Sequence, residues 1–320
     1  MLNYIFRRLN LLSINAFILT VIAFILTHWS SSSAATDANY LAQYIEYMSS
    51  ILQGEWGLST IDQQPILSRG LSAFASTLEL CFIAFITATI IGIPLGILTA
   101  LNRDHPLDYL IMAVALIGLA LPVFWLAIIT TMLPRWAGVS LPIDGGISPL
   151  FEVPVVSGFM LIDSLLAADI YQLDAFFSHL VHLILPAAVL SFFLSTEIIR
   201  LTRHSITMVM KSNYIKAAYA NGLSRKKIVL RHVLKNALPS IIHQLRLQLN
   251  TIISFAMVIE IVFSLQGAGL WLLICIKQGD YLALPAAVLI ISGAILLASI
   301  IIDILLMLLS PLKRKSLYAD

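Results

Sequence analysis

The residues able to do chemistry in this chain are few, and most of them lie inside apolar runs. Glu197 and Arg200 stand three residues apart and can pair on one helix face. His179, His182 and His204 share that face. Further along, His243, Arg246, Asn250, Ile253, Met257, Glu260 and Ser264 fall on one side of a helix of ordinary period. Glu79 and Asp303 are isolated acids in apolar stretches. At membrane depth a charge costs at least ~2.5–3.5 kcal/mol on insertion scales, so such residues must face protein or water rather than lipid. Two chemistries fit. One is a surface along which a polar solute passes; the other is polar packing between helices. For Glu197 with Arg200 the pairing favours a structural role. A metal centre is poorly supported, because His179 and His182 have no third ligand at metal spacing. Cys81 and Cys275 also lack such spacing and imply no disulfide framework. No G-x4-G-K-[ST] phosphate loop occurs, so the chain itself holds no site for ATP or Mg and no cofactor is expected in it.

The elements that must position these residues follow from composition. The chain is 59% hydrophobic and 11% charged, where soluble domains carry about 25% charged residues. It therefore reads as an all-α integral membrane protein, because only helices and closed barrels satisfy backbone polar groups in lipid. Windows of about 20 apolar residues give six spans: 9–27, 77–101, 108–133, 179–204, 245–265 and 284–310. The first is too long for an ordinary signal-peptide core and reads as a retained anchor. Pro94, Pro122 and Pro186 lie within spans, where kinks can open a cavity. With the N-terminus cytoplasmic, 16 of the 19 basic residues collect on the inner side, leaving Arg69, Arg135 and Lys277 outside. Both termini are thus expected in the cytoplasm. The expected organisation is 1–76, an N-terminal helix and extracytoplasmic loop; 77–310, a membrane domain with an inner loop at 206–243; and 311–320, a tail.

That inner loop is the anomaly of the sequence. Between Ile198 and Ile259 there is no acid, yet Lys211, Lys216, Arg225, Lys226, Lys227, Arg231 and Lys235 crowd one stretch. Asn221 and Gly222 form a helix stop, and Ser224 can cap the next helix. Two short helices with a sharp turn are expected. On the second, Leu223, Leu230, Val233, Leu234, Ala237 and Leu238 share an apolar face, whereas Ile228 projects from the polar face as a candidate for burial in a partner protein. A basic amphipathic helix lying on lipid headgroups is the competing reading, but it requires no turn at Gly222.

At these residues the sequence resembles the membrane subunits of ABC importers, whose inner loop reads E-A-A-x3-G-x9-I-x-L-P. Lys216, Ala217, Ala218 and Gly222 match the register, with Lys replacing Glu. Arg231, His232, Val233, Leu234, Lys235, Asn236, Ala237 and Leu238 resemble the R-H-x-L-K-N-A-L of the peptide-transporting branch. Gly54–Ser59 resembles that branch's G-D-x-G-x-S, Thr77–Leu80 its T-L-E-L, and Gly92–Gly96 its G-I-P-L-G. Pro122–Ala127 resembles P-x-F-W-L-A, and Glu260–Gly269 resembles E-x-V-F-S-x2-G-x-G. The resemblance covers nearly the whole chain and is to dipeptide and oligopeptide permeases. It implies the type 1 ABC transmembrane fold in the bacterial inner membrane and no enzymatic activity of its own. It also implies ATPase coupling through Lys216, Ala217, Ala218, Gly222, Ile228 and Arg231. Candidate path residues are Arg246, Asn250, Met257, Glu260, Glu197, Arg200 and Asp303. The implied partners are a second homologous permease, two ATP-binding subunits that use ATP and Mg, a periplasmic solute-binding protein and the lipid membrane; no nucleic acid is implied. Peptide substrates are expected, including cationic or antimicrobial peptides, and polyamine (putrescine) transport or export by the same machinery is an alternative. An ion-coupled secondary transporter competes, but it should show repeated halves with interrupted helices, and no clear repeat is present.

Overall fold

The computed structural model describes residues 2–30, 39–167, 171–280 and 282–309. Among these, helices form nearly everything. They are α1 (Leu2–Ser30), α2 (Tyr40–Gln53), α3 (Ile66–Leu101), α4 (Pro106–Ala120), α5 (Val123–Ala137), α6 (Met160–Leu166), α7 (Gln172–Met210), α8 (Asn213–Ala220), α9 (Arg225–Ile228), α10 (Leu234–Val262), α11 (Ala268–Gln278) and α12 (Ala283–Leu309). A π-turn, Val229–Val233, joins α9 to α10.

Each expected span falls on a helix, but the six are not equivalent. Among the described residues α3, α7 and α12 are long and apolar enough to cross a membrane, and α4 with α5 forms a fourth if the pair is one span. The described apolar stretches of α1 and α10, Ser13–Thr27 and Thr251–Val262, are shorter. The expected continuous helix over 108–133 is instead broken, α4 and α5 meeting at 105°. The cause is local: Pro122 disfavours helical backbone in the residue before it, and Leu121 is extended at φ −82°, ψ 130°. By contrast Pro94 and Pro186 lie inside unbroken α3 and α7.

The chain forms two compact units. One comprises 1–77, 147–179 and 264–320; the other comprises 78–146 and 180–263. In the first, Ile66, Ala73, Trp271, Cys275, Ala287 and Ile290 form a buried cluster against which Trp56 packs. Ser59 and Asp280 anchor the chain that leads into it: the Ser59 hydroxyl donates to Asp280 Oδ2 at 2.5 Å and the Thr60 hydroxyl to Oδ1 at 3.0 Å. The same carboxylate accepts the Ala283 N–H at 3.2 Å at the start of α12, a helix end that favours negative charge. Burial alone would raise the Asp280 carboxyl. The hydrogen bonds from Ser59, Ala283 and Thr60 outweigh it and hold the group below the usual carboxylate range. Asp163 does the same for the segment before α6, accepting N–H groups of Val156, Ser157 and Gly158. Its burial is likewise overcome, by the Ser157 hydroxyl and those amides, and its pKa is lowered.

Candidate coupling segment and polar residues of the bundle

The basic stretch lies wholly in the second unit and begins where α7 ends. In α8, Ile215 and Ala218 are buried while Tyr214, Lys216, Ala217 and Tyr219 are exposed. The helix stops at Asn221, and Gly222 takes φ +74° with open space where a Cβ would stand. That backbone is costly for any residue with a Cβ, so glycine is required by conformation and not by crowding. Leu223 N–H then closes the turn on the Ala218 carbonyl at 3.3 Å. Ser224 takes the N-cap position with extended backbone, but its side chain makes no capping bond.

The expected second helix is present with a changed phase. Leu234 N–H bonds the carbonyl of Val229, five residues back, which widens that turn. Side chains four and five apart then point the same way, and Ile228, Val229, Val233, Ala237 and Ile241 all turn inward. Ile228 is therefore 0% exposed, packed with Ala100, Ile206, Ile215 and Ala218 of its own chain. The expectation that Ile228 is offered to a partner does not hold, because the π-turn breaks the straight 3.6-residue period on which it rests. Leu230, expected on the inner face, is 59% exposed instead. Burying the Ile228 side chain stabilises this seat by about 1.5–3 kcal/mol.

The seat is fixed by polar ties as well. Arg225 Nη2 donates to the Leu101 carbonyl at 2.5 Å, at the C-terminal end of α3, where unpaired carbonyls favour a cation. Asp108, in the first turn of α4, is fully buried and receives Arg203 of α7 through two bonds, Nε to Oδ1 at 2.8 Å and Nη2 to Oδ2 at 2.7 Å. It also accepts the Asp104 N–H at 3.1 Å. Asn236 Nδ2 donates to Tyr214 Oη at 2.8 Å, joining α10 to α8. The α3–α4 connection, the end of α7 and the α8–α9 turn thus form one braced end of the unit. From it Lys216, Ala217, Tyr219, Gly222, Arg225, Lys226, Lys227, Leu230 and Arg231 are exposed.

Neither Asp108 nor Asp280 is a candidate from sequence, although each organises an end of its unit. Asp108 had one signal, an acid just after the Pro106 that opens a helix. Its partner lies 95 residues away, and sequence alone gives no register between the two helices. Helix contact at this unit depends on small residues: a Cβ on Gly96 would stand 2.6 Å from Thr202 Cβ and 2.9 Å from the Ile199 carbonyl oxygen.

The polar residues of the bundle separate into several kinds. Glu197 and Arg200 pair on α7 through two bonds, 2.6 and 3.1 Å long, as their spacing predicts. Arg200 remains exposed. Of the α10 stripe, Ile253 and Glu260 are buried at 5% and 1% exposure and Met257 is half-buried. Glu260 thus lies inside the unit, on the same side of α10 as Ile253. The side chains of Arg246, Asn250 and Asp303 lie outside the described residues. His179 is buried and His182 half-buried, and no group of three or more metal-ligating side chains occurs among the described residues.

Helices over nearly all the described residues, at least three of them long and apolar enough to cross a membrane, together with a braced basic loop, define a multi-pass membrane protein. The chain belongs to the family of binding-protein-dependent transport system inner membrane components, whose sequence profile matches residues 92–315. Among its relatives, the protein named putrescine export system permease protein SapB from Escherichia coli K12 is 38% identical over 319 residues, covering 100% of this chain and 99% of that one. The peptide transport system permease protein SapB of Salmonella typhimurium is also 38% identical over 319 residues, with the same coverage. The dipeptide transport system permease protein DppB of E. coli K12 is 32% identical over 273 residues, 84% of this chain and 79% of that protein. In fold the chain is similar to the MetNI methionine ABC transporter in an inward-facing conformation, with TM-score 0.54 and 17% identity, over 77% of this chain and 96% of that one.

Proposed function

We propose that this chain is one of two permease subunits of an ATP-driven ABC transporter that moves peptides, cationic ones among them, across the inner membrane. Separate ATP-binding subunits supply the hydrolysis and a periplasmic binding protein delivers substrate. The observation that carries this reading is the α8–Gly222–α9 turn. Its inner side is seated on α3 and α7 through Ile215, Ala218 and Ile228, while its outer side presents exposed cations with Tyr219 and Leu230. A surface of that kind receives a partner and passes its displacement to the helices behind. Arg231, Lys216, Ala217 and Gly222 lie on the proposed docking side; Ala218 and Ile228 support it from within. The charge distribution of the sequence supports a cytoplasmic position for this loop and both termini. For the translocation surface the proposed residues are Arg246, Asn250 and Met257 on α10, with Arg200 on α7.

Putrescine export is the second reading, favoured by the name of the E. coli K12 relative. Reconstitution with a second permease and candidate ATP-binding subunits tests both, using labelled cationic peptide and labelled putrescine on either side of the vesicle. ATP-dependent peptide movement supports the proposal. ATP-dependent putrescine movement alone replaces it with the second reading, and movement of either solute without ATP overturns the coupling to ATP.

A further inference from the structure

The second unit pairs its charges internally except on one face. Asp108 holds Arg203 and Glu197 holds Arg200. Asp104 lies 3.6 Å from Arg103, and Glu79 and Glu260 are buried. Asp144, the remaining acid of that unit, stands in the loop after α5. None of these carboxylates serves Lys211, Lys216, Lys226, Lys227, Arg231 or Lys235. All six cations are exposed, and none has a carboxylate partner among the described residues. Arg225, beside them, is taken by the Leu101 carbonyl. Like charges at neighbouring helix positions destabilise one another, and the unit carries that repulsion unrelieved. A covering surface of opposite charge relieves it.

The side chains between the cations separate a protein groove from a lipid surface. A helix that lies on a membrane inserts large apolar side chains beneath its cationic rim. In α8 the large apolar residue, Ile215, is turned the other way, into the cluster with Ala100 and Ile206. Its outward stripe is Asn213, Lys216, Ala217 and Ala220, spaced i, i+3, i+4 and i+7 and exposed throughout. Two alanines there let a facing surface come close to the helix backbone, with the Lys216 ammonium at its edge. Across the Gly222 turn, Lys226, Lys227 and Arg231 surround Leu230, which is 59% exposed. A single leucine ringed by cations fits an apolar socket with an acidic rim.

Resting on the docking role given to this segment above, we propose that the groove of the ATP-binding subunit that receives it is acidic. Carboxylates stand opposite Lys216, Lys226, Lys227 and Arg231, an apolar socket takes Leu230, and this charge selects the subunit. A subunit with cations at those places is repelled, while opposite charge speeds encounter. Carbodiimide joins a lysine amine to a carboxylate only where the two touch, so it tests the groove directly. The full-length chain and a second permease are placed in nanodiscs with the candidate ATP-binding subunits. Amide links from Lys216, Lys226 or Lys227 to Asp or Glu of an ATP-binding subunit are expected. Lys226→Glu with Lys227→Glu should slow association at low salt by about tenfold or more while the melting transition stays at that of wild type. Lys226→Arg with Lys227→Arg should keep the association rate. A benzophenone at Ala220→Cys, with Cys81 and Cys275 replaced by alanine, reports docking whatever the charge of the groove. Crosslinking there without any amide link, and with the double glutamate variant associating normally, leaves docking standing and overturns the acidic groove. Protection of Lys216 and Lys226 from an amine-reactive reagent in phosphatidylglycerol nanodiscs, but not phosphatidylcholine ones, with no ATP-binding subunit present, assigns the face to lipid and overturns it too. No crosslink from Ala220 to any candidate subunit overturns the docking role itself, and the acidic groove with it.

Discussion

Loss of the Asp108 charge should loosen the braced end of the second unit by an amount the geometry sets. In Asp108→Asn the side chain keeps its size, but one of the two guanidinium bonds loses its acceptor and both lose the carboxylate charge. A hydrogen bond to a charged group contributes about 1.5–3 kcal/mol. The carboxylate side is 1% exposed and the guanidinium side 26%, so water reaches Arg203 and recovers part of its loss. The net cost is then about 2–3 kcal/mol, or about 4–12 °C in melting temperature for a unit of this size. Both cysteines are buried, Cys81 at 6% and Cys275 at 3% exposure, and they lie in different units. A thiol-reactive dye on single-cysteine variants therefore reads the unfolding of each unit separately. Asp108→Asn should lower the Cys81 transition in that range. A double-mutant cycle with Arg203→Gln should give a coupling of about 1–3 kcal/mol. Additive single effects in that cycle would refute the brace.

Three further outcomes follow from the same structure. Ile228→Ala should cost about 2–5 kcal/mol as a core truncation, whereas Leu230→Ala stays within about 0.5 kcal/mol of wild type yet weakens binding of the ATPase subunit; the reverse pattern in melting and pull-down would restore the straight-helix phase. Gly96→Ala should destabilise the second unit by about 1–3 kcal/mol, because the added methyl meets Thr202 and the Ile199 carbonyl; an unchanged Cys81 transition would show that α3 and α7 separate freely. The Asp280 carboxyl titrates below its unfolded value, so its contribution is complete above about pH 4 and disappears as pH falls through the folded value; Asp280→Asn should flatten the acid-side fall of the Cys275 transition, and an unaltered slope would remove the latch.

The helices and the loop were legible because they rest on local signals. Apolar length marks α3, α7 and α12, and Asn221–Gly222 marks the turn by conformation alone. What was missed depends on phase and register. One extra residue in the turn after Ile228 exchanges the fates of Ile228 and Leu230, and no periodicity count sees a π-turn. Pro122 is legible as a kink, but no spacing or periodicity in the sequence sets its size of 105°. Asp108 with Arg203, and Asp280 with Ser59, join positions 95 and 221 residues apart, and only the packing of whole helices decides such pairs.

The central claim is that the turn at Gly222 carries the work of a separate ATPase into the bundle. Gly222→Val, reconstituted with partner permease and ATP-binding subunits, tests it most directly, with ATP hydrolysis and solute movement measured in the same vesicles. A valine at φ +74° must shift the turn while the Ile228 seat and membrane insertion persist. The account predicts hydrolysis that continues with transport lost. Transport and hydrolysis that both match wild type would contradict it.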